Sequence, residues 1–151
     1  MFLEYIDLPP VPAYLIKTYE EITSINPKFK IMEQYPHYET RIVEYNLRNF
    51  LNRTFIDNGL LTDLVAQYHF VHDQISTHKD IGRTVAYNFL LYPGGDSVIT
   101  NFYNDDKELL ESYRIEPFRW HRLSVGTFHN VENIDNKLRV AITVNEKPHS
   151  N

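Results

Sequence analysis

The chain has 151 residues, 42% apolar and 23% charged, with fifteen Lys and Arg against twenty Asp and Glu and a net charge of −5. That length and composition support one ordered domain with a single core and exclude a disordered or fibrous chain. The acidic balance argues against a phosphate-tracking surface, and the absence of cysteine excludes disulfides, thiolate metal sites and thiol nucleophiles, so any metal must be held by His, Asp and Glu.

The first twenty residues are broken by Glu4, Asp7, three prolines and Lys17, a pattern unlike a secretion signal or a membrane span, so a cytoplasmic protein is expected. Without an export signal, Asn52-Arg53-Thr54 reads as a chance match to a glycosylation acceptor. After the segment LPPVP, Leu15, Ile16, Tyr19 and Ile22 predict a short helix ending before Asn26-Pro27. Val43, Leu47, Phe50, Leu51 and Phe55 recur at helical spacing and predict an amphipathic helix over residues 38–57, closed by Asp57-Asn58-Gly59. Residues 1–61 are thus expected to form a helical N-terminal layer.

From residue 62 the period changes. The runs LVAQYHFV, TVAYNFLLY, SVITNFY, ELLESYRI, FRWHRLSV and KLRVAITVN are rich in β-branched and aromatic residues and read as strands. Pro93-Gly94-Gly95-Asp96, Asn104-Asp105-Asp106 and Asp135-Asn136 punctuate them as turns. Short pieces at 74–78 and 128–132 bring the strand count near eight within residues 62–146. A mainly β fold with N-terminal helices follows, a sandwich or barrel with helices on one outer face, and no repeat or linker divides the chain.

Seven histidines are candidates for chemistry. His37 and His149 fall at segment ends and read as solvated surface groups. His69 and His72 near the end of one strand, and His121 beside Trp120 in another, read as hydrogen-bonded wall or pocket histidines rather than ligands. His78 differs because Asp80 lies two positions on, close enough for both to chelate one ion, although a solvated loop accounts for a lone His-x-Asp equally well. His129 follows a glycine turn, and Arg139 stands ten positions later within an apolar strand. A cation among Leu138, Val140 and Ile142 is costly unless its guanidinium meets an anion, so Arg139 is expected to face a carboxylate; the alternative is an edge-strand arginine facing water or an Asp.

The order His78-x-Asp80, then His129, then Arg139 resembles the iron(II)- and 2-oxoglutarate-dependent oxygenase superfamily over about residues 64–146. Leu91-Tyr92, the Gly94-Gly95 turn and Thr100 with Phe102 are similar to a strand pair of its prolyl-hydroxylase-like members. The resemblance implies a double-stranded β-helix, a jelly-roll or cupin-like barrel of eight antiparallel strands. It implies Fe(II) ligation by His78, Asp80 and His129, and pairing of Arg139 with the distal carboxylate of the cosubstrate 2-oxoglutarate. Asn88 and Thr100 are implied as further contacts to that cosubstrate. Where the family often has Ser or Thr two residues after the arginine, this chain has Ala141, with Thr143 two further on. Tyr87, Phe89 and Tyr92 are expected to keep the centre dry.

The implied activity is hydroxylation of a peptide side chain or a small amino-acid-like molecule. A non-catalytic binding protein of the same barrel is the alternative. A cupin with another metal usually offers His-x-His and a following Glu, which this chain lacks. Nucleobase repair enzymes carry a second arginine six residues after the first, where this chain has Asn145. Nucleic acid and membrane are not expected partners, and the sequence leaves oligomeric state and substrate identity open.

Overall fold

A computed structural model describes residues 1–25, 38–135 and 137–148. His37, His149 and Asn136 lie outside the described residues. The barrel consists of eight strands in chain order: β3 (Leu64–Val71), β4 (Ile75–His78), β5 (Val85–Tyr92), β6 (Ile99–Tyr103), β7 (Leu109–Tyr113), β8 (Trp120–Ser124), β9 (Phe128–Glu132) and β10 (Arg139–Glu146). Each expected run is a strand, including the two short pieces at 74–78 and 128–132. Two further strands precede them, β1 (Leu3–Tyr5) and β2 (Tyr38–Ile42). The larger sheet has the order β1-β8-β5-β10-β3-β2 and the smaller β4-β9-β6-β7, with every pair antiparallel. Two antiparallel sheets facing each other in this way form a jelly-roll, cupin-like barrel.

The N-terminal region departs from an all-helical layer. It holds a 3₁₀ turn at Ala13–Leu15, helix α1 (Tyr19–Ile25), helix α2 (Tyr45–Leu51) and a π-helical turn at Asn52–Ile56, besides β1 and β2. The helix expected over 38–57 begins only at Tyr45, because residues 38–42 pair along β3 as an edge strand, Tyr38 opposite Val71 and Ile42 opposite Gln67. Its end is as expected: Gly59 takes a left-handed φ of 75°, and the Asn58 side chain donates to the carbonyl of Thr54.

The larger sheet is buried on both faces, and its alternating side chains divide accordingly. Tyr68, Phe70, Phe89, Trp120, Ile142 and Val144 pack with Leu47, Leu51 and Phe55 of the helical layer. Phe55 is wholly buried, its ring 4.9 Å from Trp120 and 5.2 Å from Tyr87. Burying a side chain of that size stabilises the fold by about 1.5–3 kcal/mol. The alternate residues, among them His69, Asn88, His121, Arg139 and Thr143, line a cavity inside the barrel. Tyr87 and Phe89 therefore belong to the helical face and Tyr92 is more than half exposed, so none of the three lines the cavity. Ala86, Ile115, Leu123, Val125 and Val131 provide its apolar walls instead. No helix among the described residues is long and apolar enough to cross a membrane.

Candidate metal centre

The cavity has a volume of about 470 Å³, within the range of small-ligand sites. At one side His78 at the end of β4 and His129 in β9 stand directly opposite each other across the antiparallel ladder, with ring centroids 4.4 Å apart. Asp80 follows in the loop after β4, where its backbone N–H donates to the Val125 carbonyl at 2.9 Å. These anchors turn the carboxylate toward both rings. Asp80 Oδ1 lies 3.3 Å from His78 Nε2 and 3.7 Å from His129 Nε2, and a donor atom from each residue falls within 4.8 Å of the others.

Both imidazoles are oriented alike. His78 Nδ1 is 2.7 Å from the Ser76 carbonyl, and His129 Nδ1 is 2.7 Å from the Thr127 carbonyl. A carbonyl can only accept, so each Nδ1 carries a proton; each Nε2 faces Asp80, to which His78 Nε2 donates when protonated, and in the neutral ring Nε2 offers its lone pair to a metal. On the far side of the carboxylate, Arg83 Nε donates to Asp80 Oδ2 at 2.5 Å. Burial pushes the Asp80 carboxyl up, but His78, Arg83 and His129 outweigh it and hold the group at about 2. Hydrogen bonding to Asp80 raises the pKa of His78, whereas burial lowers that of His129. Adjacent donors on an octahedral ion at about 2.1 Å stand about 3 Å apart, so the two edges from Asp80 to the imidazoles are close to the spacing that a divalent ion requires. Two neutral imidazoles and one carboxylate are a donor set suited to a first-row divalent metal.

Arg139 enters the same cavity from the start of β10. It is only 9% exposed, its Nη1 donates to the Pro93 carbonyl at 3.0 Å, and no carboxylate pairs with it among the described residues. Burial alone lowers its pKa to about 10. The Pro93-Gly94 turn shapes this position: Gly94 has φ 92°, and a Cβ there would come within 3.1 Å of Arg139 Cβ and 3.3 Å of the Lys137 carbonyl. Asn88 and Thr143 also line the cavity, and Asn88 Oδ1 and Thr143 Oγ1 are both buried and without a hydrogen-bond partner among the described residues. Thr100 lines the cavity as well. The six residues singled out in the sequence are thus brought to one cavity: three as a potential ligand set, and Arg139, Asn88 and Thr100 as its polar lining.

His121 and His69 are cavity-wall histidines, held neutral by burial at about 4 and about 3 respectively. His72 is not: it is exposed outside the cavity, beside Glu39 and Tyr19. Sequence reasoning overlooked Arg83, whose signal was its place three residues after Asp80 in the same short loop. It also overlooked Tyr38, whose hydroxyl meets His69 Nδ1 at 2.5 Å and which reaches the cavity only because β2 is a strand.

No family model matches the chain, and no curated protein matches it. Solved structures do. A structure of oxalate decarboxylase from Bacillus subtilis, determined in work on its Mn(II) centres, matches with a TM-score of 0.50 and 11% identity over 86% of this chain and 30% of that one. A mutant of the same enzyme matches with a TM-score of 0.50 and 11% identity over 85% of this chain and 29% of that one. The likeness is one of fold. It agrees with the cupin-like barrel, and this chain spans less than a third of the length of those structures.

Proposed function

We propose that the protein is an Fe(II)- and 2-oxoglutarate-dependent dioxygenase that hydroxylates a small molecule or a peptide side chain. The observation that carries this reading is the buried, unpaired Arg139 guanidinium opening into the same cavity as the His78, Asp80 and His129 donors. A buried cation without a counter-charge is costly to fold around, and a carboxylate ligand offsets that cost.

His78, Asp80 and His129 would hold Fe(II), and their donor types fit it. Bound there, Fe(II) with 2-oxoglutarate would supply oxidative chemistry in which one oxygen atom of dioxygen goes into succinate, with release of carbon dioxide, and the other into a substrate C–H bond. The protein's part is positioning and shielding. Ser76 and Thr127 fix the two imidazole tautomers, and Arg83 fixes the Asp80 carboxylate. Arg139 offers a planar fork to a distal carboxylate, and Thr143 and Asn88 add buried polar groups to the same cavity that lack partners among the described residues. Ala86, Leu123 and Val131 limit water around the reacting atoms. A cytoplasmic setting belongs to this proposal, as does the exclusion of nucleic acid as substrate.

The test is anaerobic titration with Fe(II) and then 2-oxoglutarate, watched for the visible charge-transfer absorption of the chelate, followed by succinate measurement in air. Absence of both would remove the oxygenase reading. A second reading, a Mn(II)-dependent enzyme acting directly on a small carboxylate, is motivated by the oxalate decarboxylase likeness. It predicts turnover of a carboxylate with Mn(II) and without succinate.

A further inference from the structure

The mouth of the cavity carries a second cation whose binding capacity is only partly used. Arg83 lines the cavity with 36% of its side chain exposed, and its one hydrogen bond among the described residues runs from Nε to Asp80 Oδ2. A guanidinium has five N–H donors in a fixed plane, so the two terminal nitrogens are left to present an end-on fork that Asp80 keeps rigid. Ile81, also at the cavity rim, is a fully exposed apolar side chain.

Counting the charges that face the cavity points the same way. Among the described residues, the charged ones lining it are Lys79, Asp80, Arg83 and Arg139. Lys79 is occupied outside the centre, 2.9 Å from Asp105 and over the Phe128 ring. Two arginines against one aspartate leave one positive charge, and a divalent metal with a dianionic cosubstrate cancel each other. One positive charge therefore remains for the substrate to neutralise. Among the described residues no second carboxylate lines the cavity to receive a substrate ammonium.

Resting on the oxygenase reading above, we infer that the primary substrate is a small, otherwise uncharged monocarboxylate, whose carboxylate docks on the Arg83 fork while its apolar carbons lie against Ile81. An N-acylated amino acid or a short aliphatic acid has this chemistry. A neutral internal peptide segment leaves the Arg83 fork unpaired, and a free amino acid brings an ammonium with no partner.

The experiment uses the full chain loaded with Mn(II), kept free of dioxygen so that no oxygenase turnover occurs, and saturated with 2-oxoglutarate. N-acetyl-leucine, N-acetylvaline and hexanoate are each compared with their primary amides, binding being read from paramagnetic relaxation of the probe's protons. The acids should bind about tenfold or more tighter than the amides, the worth of a charge-assisted fork, and Arg83→Gln should reduce that preference below about threefold. Ile81→Ser should weaken the acids without changing the 2-oxoglutarate affinity measured in the same samples. Equal binding of acids and amides by the wild type, or binding of none of the acids while Mn(II) and 2-oxoglutarate are held, overturns the inference. A preference that survives Arg83→Gln overturns it too. Failure of the wild type to bind 2-oxoglutarate overturns the underlying reading as well, and is told apart by its own signal.

Discussion

Replacing Arg139 by Met separates what the residue does for folding from what it does for binding. Burial lowers its pKa from the ordinary arginine value to about 10, which at about 1.4 kcal/mol per unit is a folding cost on the order of 3 kcal/mol. The sign follows from a depressed cation. The cost is present in full below the folded value, lifts only as the pH rises from about 10 toward the ordinary arginine value, and is therefore constant across the neutral range. Met fills a similar volume without charge, and the Pro93 carbonyl that loses its donor sets back about 1 kcal/mol. The ligand-free variant should thus be more stable by about 1–2 kcal/mol, read as an upward shift in the urea midpoint with the slope unchanged. Its affinity for 2-oxoglutarate at saturating Mn(II) should fall by about 2–5 kcal/mol, roughly 30-fold to several thousand-fold. Arg139→Lys should recover little of it, because an ammonium does not reproduce the fork. A variant destabilised by more than about 1 kcal/mol, with cosubstrate affinity within about threefold of wild type, would show that Arg139 is structural and refute the argument.

Further consequences concern the centre and the core. His129→Ala should abolish tight divalent-metal binding in equilibrium dialysis while Arg139→Met retains it, since two protein donors seldom hold a labile ion against water; unchanged stoichiometry would dismiss the triad. The raised pKa of His78 means that its second proton persists to higher pH than in an ordinary histidine and must be displaced by metal there, so calorimetry in buffers of different ionisation enthalpy should show proton release that fades as pH rises above that window. Thr143→Val removes a buried hydroxyl without a partner, so stability should stay within about 0.5 kcal/mol or rise while 2-oxoglutarate binds about two- to tenfold more weakly; an unchanged affinity would take Thr143 out of the site. Phe55→Ala should cost about 3–5 kcal/mol in urea unfolding, because the ring is wholly buried between Trp120 and Tyr87.

The barrel strands were legible because each carries its own alternation or apolar run, bounded by turn residues. β2 was not, although Tyr38, Thr40 and Ile42 alternate with Glu39 and Arg41. The helical spacing that begins at Val43 dominates the same window, and an edge strand exists only by virtue of β3 beside it. The triad was legible as an order of residue types. Its geometry was not, since His78 and His129 lie far apart in sequence and meet through the pairing of β4 with β9. The exclusion of water by Tyr87 and Phe89 failed for a definite reason. Every second residue of β5 faces the helices, and aromatic character alone does not say which side of a doubly covered sheet a residue takes.

The two faces of β10 carry consequences for how this protein can change. Val140, Ile142 and Val144 hold the helical layer, while Arg139, Ala141 and Thr143 look into the cavity. A single inserted residue would exchange the two sets at once, placing a guanidinium against the helices and valines in the cavity, so the strand should be nearly intolerant of insertion. Substitution on the inward side alone leaves the helical face intact. The barrel can therefore be rewritten toward a different ligand one inward position at a time, without passing through an unfolded ancestor.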